Sequence, residues 1–228
     1  MTNHLFPLLQ LCDSNFPSGA FSHSFGFETY IQEQLITDKA SFAQALTVYL
    51  RKQLVFTDGL ACSLAYEALD RKAEGDLLEA DRLLFVSTLA QETRTGNRRI
   101  GERMAKLCVE LYPSPVLIDY LTAIKEKRAS GHSAIVFAAV AHHLKVPEET
   151  AIGTYLFASI SSLVQNGVRG IPLGQTDGQR IMVDIQPNID KAVKMIVGLI
   201  KDDFGAVSPG LEIAQMRHER MHVRLFMS

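Results

Sequence analysis

Apolar residues recur three and four positions apart along almost the whole chain, and that period is the strongest constraint the sequence places on its fold. Phe42, Ala45, Leu46, Tyr49 and Leu50 share one helical face, as do Ile152, Leu156, Ile160 and Leu163. Start signals agree with the periodicity. Ser41 and Gln44 are spaced as a capping box, and Ser114 followed by Pro115 reads as an N-cap and first helical residue. Pro147 with Glu148 and Glu149 opens the helix that carries Ile152. Further helices are predicted over residues 20–34, 58–72, 76–89, 93–111, 133–144, 176–184 and 188–201. No stretch alternates apolar and polar residues between turn signals, so strands are not expected. The predicted fold is all-α, a single-domain bundle of about ten helices with an extended C-terminal tail.

Breaks that combine Gly or Pro with polar residues fall at 13–19, 167–175 and 205–210. No linker rich in Ser, Pro or Gly divides the chain, which makes residues 1–210 one helical body and sets residues 211–228 apart as a tail. A hydrophobic fraction of 47% over 228 residues is ample for one core. Basic and acidic residues nearly cancel, 23 against 25. That balance argues against a nucleic-acid or anionic-membrane partner. The longest apolar run, Ala134 to Ala141, falls far short of the roughly 20 residues a membrane span needs. No signal peptide is read at the N-terminus, so a cytoplasmic location is expected. Cys12, Cys62 and Cys108 are odd in number and widely spaced, without a CxxC pair, and read as buried thiols.

The sharpest catalytic pattern is His218-Glu-Arg-Met-His222, which matches the zinc-hydrolase string H-E-x-x-H. Histidines four apart share a helix face and can both bind zinc, with the glutamate as general base. A third protein ligand is normally downstream, and the residues after His222 include no His, Asp, Glu or Cys. The alternative reading is an amphipathic basic helix. His142 and His143 are adjacent and point about 100° apart on a helix, so one is expected packed and one solvated. His132 is placed at a helix start. His23 lies among Ser22 and Ser24, but no G-x-S-x-G elbow presents a nucleophile. The segment from Gly174 to Gly178 lacks the spacing and the lysine of a phosphate loop. Arg94, Arg98 and Arg99, with Glu92 and Glu102 nearby, read as a solvated helix face laced with salt bridges, or else as a partner-binding face. No catalytic constellation is complete, and no cofactor or resident metal is expected.

Three segments together resemble one family. They are Leu8 to Glu28, which contains Asp13-Ser-Asn-Phe-Pro-Ser-Gly19 and Phe21-Ser-His-Ser-Phe-Gly26; Ile171-Pro-Leu-Gly-Gln-Thr-Asp-Gly-Gln-Arg180; and Leu211-Glu-Ile-Ala-Gln-Met-Arg-His-Glu219 with Arg224-Leu-Phe226. The chain is similar, over nearly its whole length, to the urease accessory protein UreF family. The resemblance absorbs the zinc-like string, because Arg217-His218-Glu219 belongs to the family's tail pattern. An aromatic residue is usual in that pattern where this chain has His222.

The resemblance implies an all-helical, non-enzymatic protein that dimerises and bridges UreD (UreH in some organisms) to the nickel-carrying GTPase UreG. The assembled complex delivers nickel to the active site of the urease apoprotein. The N-terminal segment and the tail are implied to contact UreD/UreH, through Phe16, Pro17, Ser18, Gly19, Phe21, His23, Gly26 and Glu28 and through Leu211, Glu212, Arg217, His218, Glu219, Arg224, Leu225 and Phe226. The helical body is implied to supply the dimer and UreG surfaces. Transient nickel contact by His142, His218 or His222 is a further implication.

The residues themselves fit these roles. In a helix from Leu211, the positions Leu211, Ala214, His218, Met221 and Leu225 make one largely apolar stripe, with Arg217, Arg220 and Arg224 on another side. Such a tail suits helix-in-groove binding, or packing on its own domain. Phe16, Phe21, Phe25 and Phe27 crowd one short stretch, more aromatic surface than a turn capped by Ser18 or Ser22 requires, and are expected at an interface or as a core anchor.

Overall fold

In the computed structural model, which describes residues 4–205 and 208–228, the chain runs through α1 (Leu5–Cys12), α2 (Phe27–Gln32), α3 (Lys39–Tyr49), α4 (Leu60–Asp70), α5 (Glu74–Ser87), α6 (Gln91–Leu111), α7 (Pro115–Lys125), α8 (Ser133–His143), α9 (Glu148–Gly170), α10 (Gln175–Ile196) and α11 (Pro209–His218). A π-helical segment, Leu50–Gly59, joins α3 to α4, and short 3-10 turns cover Ala20–Ser22 and Lys201–Asp203. No strand occurs among the described residues. The fold is all-α and single-domain, as the periodicity predicts.

The centre of the bundle is α8. Every residue from Ala134 to Ala141 is buried, the arrangement a helix without a polar face requires. Helices α4, α6 and α9 form its walls, and α5 and α7 also touch it. His132 caps its first turn by accepting the Ala134 N–H at Nδ1, as its expected place at a helix start implies. The loop before α8 is held by one fully buried carboxylate. Asp81 accepts the backbone N–H groups of Ser130, Gly131 and His132 and the hydroxyl of Tyr120. Gly101 of α6 lies directly against the Gly131 carbonyl, where a Cβ would collide with backbone.

Local details depart from the sequence reading in several places. The cap of α3 is Asp38, whose carboxylate accepts the Ser41 N–H at 2.8 Å, so Ser41 is the third helical residue and not the cap. The helix expected over 58–72 is the end of one helical run that begins at Lys39. The helix expected over 20–34 is broken, because Phe25 and Gly26 are left-handed with φ of 50° and 90°. The helices expected over 176–184 and 188–201 are one, α10, with Pro187 inside it. Pro187 costs a helix about 3 kcal/mol. An unbroken buried stripe offsets that cost: Gly178, Ile181, Met182, Ile185, Ile189, Ala192, Val193 and Ile196 all face the core, at roughly 1.5–3 kcal/mol for each large side chain.

The break expected at 167–175 is shorter than predicted, since α9 continues through Gly167 to Gly170. That expected at 205–210 includes residues 206 and 207, which lie outside the described residues; α11 begins at Pro209. Cys62 and Cys108 are buried and Cys12 is half-buried, all as free thiols. Burial pushes the thiols of Cys12 and Cys108 up to about 12. His142 packs edge-on against Tyr66 and pairs with Asp70 at 2.8 Å, whereas His143 is exposed.

Asp81→Ala leaves four donors without their acceptor in a site closed to water. The expected outcome is a loss of about 3 kcal/mol or more in unfolding free energy, read as a lowered midpoint in urea denaturation.

A composite surface of the N-terminal segment and the tail

The two segments singled out in the sequence meet in one place, though some 190 residues separate them. The link begins at the left-handed pair Phe25 and Gly26. This backbone turn directs the N–H groups of Ser24 and Phe25 at the main-chain oxygen of Ser228, which also accepts the Ser24 hydroxyl at 2.7 Å. Met227 donates its N–H to the Ser22 carbonyl at 2.8 Å. The end of the tail is thereby bonded to the backbone of the N-terminal segment. Gly26 is needed twice, for its φ of 90° and because a Cβ there would lie 2.9 Å from Cγ of Gln215 on α11.

Glu28, 3% exposed in the first turn of α2, is the main receptor for the tail. Its Oε1 accepts the Leu225 N–H at 2.6 Å, and its Oε2 accepts the Phe226 N–H at 3.1 Å. Oε2 also lies 2.9 Å from Nε2 of His218, a ring with no exposed surface. The other ring nitrogen, Nδ1, is 2.8 Å from Oε2 of Glu92 on α6. The ring is thereby held between two carboxyl groups, one on α2 and one on α6. Arg224 pairs with Glu92 at 2.6 Å, and Glu219 accepts the Glu92 N–H at 3.0 Å, capping the first turn of α6. Arg217 pairs with Glu33 at 2.9 Å, and Thr29 donates to the Ala214 carbonyl at 2.8 Å.

The tail is thus laid across its own body. Leu211, Glu212, Ala214, Gln215 and His218 form the buried face of α11. The predicted stripe stops there: the helix ends at His218, Met221 is half-buried in a turn and Leu225 is 68% exposed. Phe226 is buried against the body of its own chain. The helix end also takes apart the zinc pattern. His222 is exposed and lies beyond α11, so the i, i+4 relationship is lost, and both nitrogens of His218 already face carboxylates.

The N-terminal aromatics divide between core and surface. Phe16 and Phe27 are buried, the latter edge-on to Phe42 and Tyr49, while Phe21 is 47% exposed. Pro17 is exposed in the turn, Ser18 accepts the Ala20 N–H, and Gly19 takes φ 86°. His23 is buried, with Nδ1 2.7 Å from the Ser228 hydroxyl and its ring stacked on Phe25. Asn166 on α9 donates to the His23 carbonyl at 2.9 Å. Burial pushes the His23 imidazole down to about 4.

Sequence reasoning missed Ser24, Thr29 and Ser228, which carry no chemical signature. It also assigned Glu92 to the neighbouring arginines. Arg94 instead donates to the Thr88 carbonyl and lies over the Phe85 ring, and Glu102 pairs with Lys106.

Two outcomes follow from this geometry. Glu28→Ala removes the shared acceptor of His218, Leu225 and Phe226. It is expected to cost on the order of 3 kcal/mol of stability and to make the chain after His218 sensitive to limited proteolysis. The second concerns pH. Because the folded His23 stays neutral down to about 4, the unfolded chain binds a proton that the folded chain refuses as pH falls below about 6.5. Stability contributed by His23 is present above that pH and is lost on acidification. The urea midpoint should therefore drop between about pH 6.5 and pH 4, and less steeply for His23→Gln.

Comparison with known proteins points to the same family as the sequence resemblance. The UreF family model matches residues 36–186. Over 99% of its length the chain is 69% identical to the whole of the urease accessory protein UreF of Bacillus sp. (strain TB-90). It is 50% identical to that of Lachnoclostridium phytofermentans, with both chains fully covered. Identity to the Geobacillus kaustophilus protein of the same description is 53%, covering 97% of this chain and 96% of that one. The chain belongs to the UreF family of urease accessory proteins.

Proposed function

We propose that this protein is a non-catalytic scaffold in urease maturation, which bridges UreD/UreH to the GTPase UreG so that nickel is inserted into the active site of the urease apoprotein. The single observation that carries this reading is the composite surface. Residues Phe16 to Glu28 and Leu211 to Phe226, distant in the sequence, lie together and are joined by hydrogen bonds to the buried Glu28. Exposed on that surface are the apolar Phe21, Val223, Leu225 and Met227, between 47% and 73%, among exposed polar side chains that include Arg217, Arg220 and His222. Exposed apolar groups on a rigid, hydrogen-bonded frame are suited to partner recognition, because little ordering remains to be paid on binding.

UreD/UreH is assigned to this surface. The UreG contact and the homodimer interface are assigned to the helical body. The protein acts in the cytoplasm; no helix is long and apolar enough to cross a membrane among the described residues. Nickel is cargo of the assembly.

The test is co-purification with UreD/UreH and UreG, using point variants in place of tail deletion. Removing residues 211–228 would also uncover Glu28 and Glu92 and confound folding with binding. Leu225→Asp and Met227→Asp alter exposed side chains only. They are expected to weaken UreD/UreH capture by about tenfold or more, as interface hot spots do, while UreG capture and thermal stability hold. Unchanged UreD/UreH capture in the double variant would remove the surface assignment.

A further inference from the structure

One face of α6 carries both segments of the composite surface. Glu92, Gly96, Arg99 and Arg103 follow steps of four, three and four, and so lie in one line over about 16 Å of helix. His218 and Arg224 of the tail pair with Glu92. One turn on, Gly96 meets the His23 ring, where a Cβ would lie 2.7 Å from Cε1, and His23 in turn holds the Ser228 hydroxyl. At the far end the Arg103 guanidinium rests on Gly19, with Nη1 2.7 Å from where a Cβ would stand. The tail and the N-terminal segment are therefore laid end to end along this face.

The charge left over on it is positive. Arg99 and Arg103 are exposed, and no carboxylate lies within 4 Å of either guanidinium among the described residues. Burial is the main cause of the lowered His23 imidazole, and Arg103 and Arg99 push it the same way, which puts both beside the junction of the two segments. The nearby carboxylates are already engaged: Glu92 by His218 and Arg224, Glu33 by Arg217, Glu102 by Lys106, and Glu219 by the Glu92 N–H. Asp13 accepts the backbone and amide N–H groups of Asn15, both at 2.7 Å. An unpaired guanidinium is a planar fork of donors shaped for a carboxylate. On the two segments that these arginines adjoin stand the exposed apolar Phe21, Leu225 and Met227. Arginine beside apolar side chains is the composition of a protein contact. A phosphate backbone calls for a continuous basic stripe, which a chain of formal net charge −2 with apolar groups at this face does not offer.

We propose that Arg99 and Arg103 belong to this docking surface and receive an acidic patch, two or more Asp or Glu side chains, on the protein partner that covers Phe21, Leu225 and Met227. The proposal rests on the scaffold reading, which assigns UreD/UreH to this surface, and adds what that partner must present. Exposed charges at the edge of an interface act mainly on encounter and orientation, so association is the step they govern.

The experiment measures association and dissociation of the full-length protein with purified UreD/UreH over a range of NaCl concentrations. Arg99→Glu with Arg103→Glu is expected to slow association about tenfold or more at low salt, and the difference should shrink as salt rises. Arg99→Lys with Arg103→Lys keeps the charge and is expected to restore most of the association rate, while dissociation stays faster because the bidentate fork is lost. Arg51→Glu, an exposed reversal on the π-helical segment, is expected to change neither rate. Arg99→Glu alone leaves the contact of Arg103 with Gly19 in place; a few-fold slowing is expected, and it stands in if the double variant does not fold. If reversal leaves association and its salt dependence unchanged while Leu225→Asp with Met227→Asp still weakens capture, the acidic patch is overturned and the scaffold reading stands. If neither pair matters, both fall. A Lys pair as slow as the Glu pair, or equal slowing by Arg51→Glu, overturns the charge assignment. Self-association of the protein alone, or binding of a short RNA, that the same reversal abolishes gives the face to another occupant and overturns the proposal.

Discussion

A helix that is apolar on every side can exist in water only if other elements surround it, and α8 imposes that condition on the rest of the chain. All of its residues from Ala134 to Ala141 except Phe137 are small or branched, so the walls can approach closely. The near contact between Gly101 and the Gly131 carbonyl is one such approach. Satisfying α8 uses the inner faces of α4, α6 and α9. What remains available on α6 and α9 is where the chain's two outer segments attach: α11 against α6, and the 3-10 turn of the N-terminal segment against α9. The composite surface therefore stands on the same helices that enclose the centre. A single carboxylate, Asp81, sets the loop through which α8 enters, and so fixes both layers.

Legibility in the sequence followed the range of the interaction. Helix existence was readable because it rests on spacing within a turn or two; Ser114 and Pro115 start α7 as their types demand, the Ser114 hydroxyl accepting the Leu117 N–H at 3.3 Å. Errors arose where packing overruled a local signal. Pro187 reads as a break, yet the buried stripe of α10 carries the helix through it. Phe25 and Gly26 read as helix, yet their left-handed backbone turns the N–H groups of Ser24 and Phe25 toward the tail. The run from Ala134 to Ala141 was legible as too short for a membrane. Its place at the centre was not, since no periodic signal distinguishes a helix buried all round.

The site was legible only as two separate segments. Resemblance picked out Glu28, His218 and Arg224, but nothing local says that Glu28 receives the tail, because the contact spans 190 residues. Glu92 was misread for the same reason. Beside Arg94, Arg98 and Arg99 in the sequence, it belongs in space to His218 and Arg224. The zinc-like string shows the converse error. A pattern defined by i, i+4 geometry carries meaning only while the helix continues, and α11 ends at its first histidine.

Placement of α11 joins two parts of the molecule that look unrelated. Its face toward the body carries His218, held by Glu28 and Glu92, together with Glu212 and Gln215, which line an internal cavity of about 170 Å³. One helix therefore forms both the frame of the outer surface and a wall of the inner space. Any molecule that contacts Glu212 or Gln215 binds only when α11 is seated, and by linkage it raises the seated population. A partner that recognises Leu225 and Met227 in their observed positions selects the same state, because those residues are placed by the bonds from Leu225 and Phe226 to Glu28.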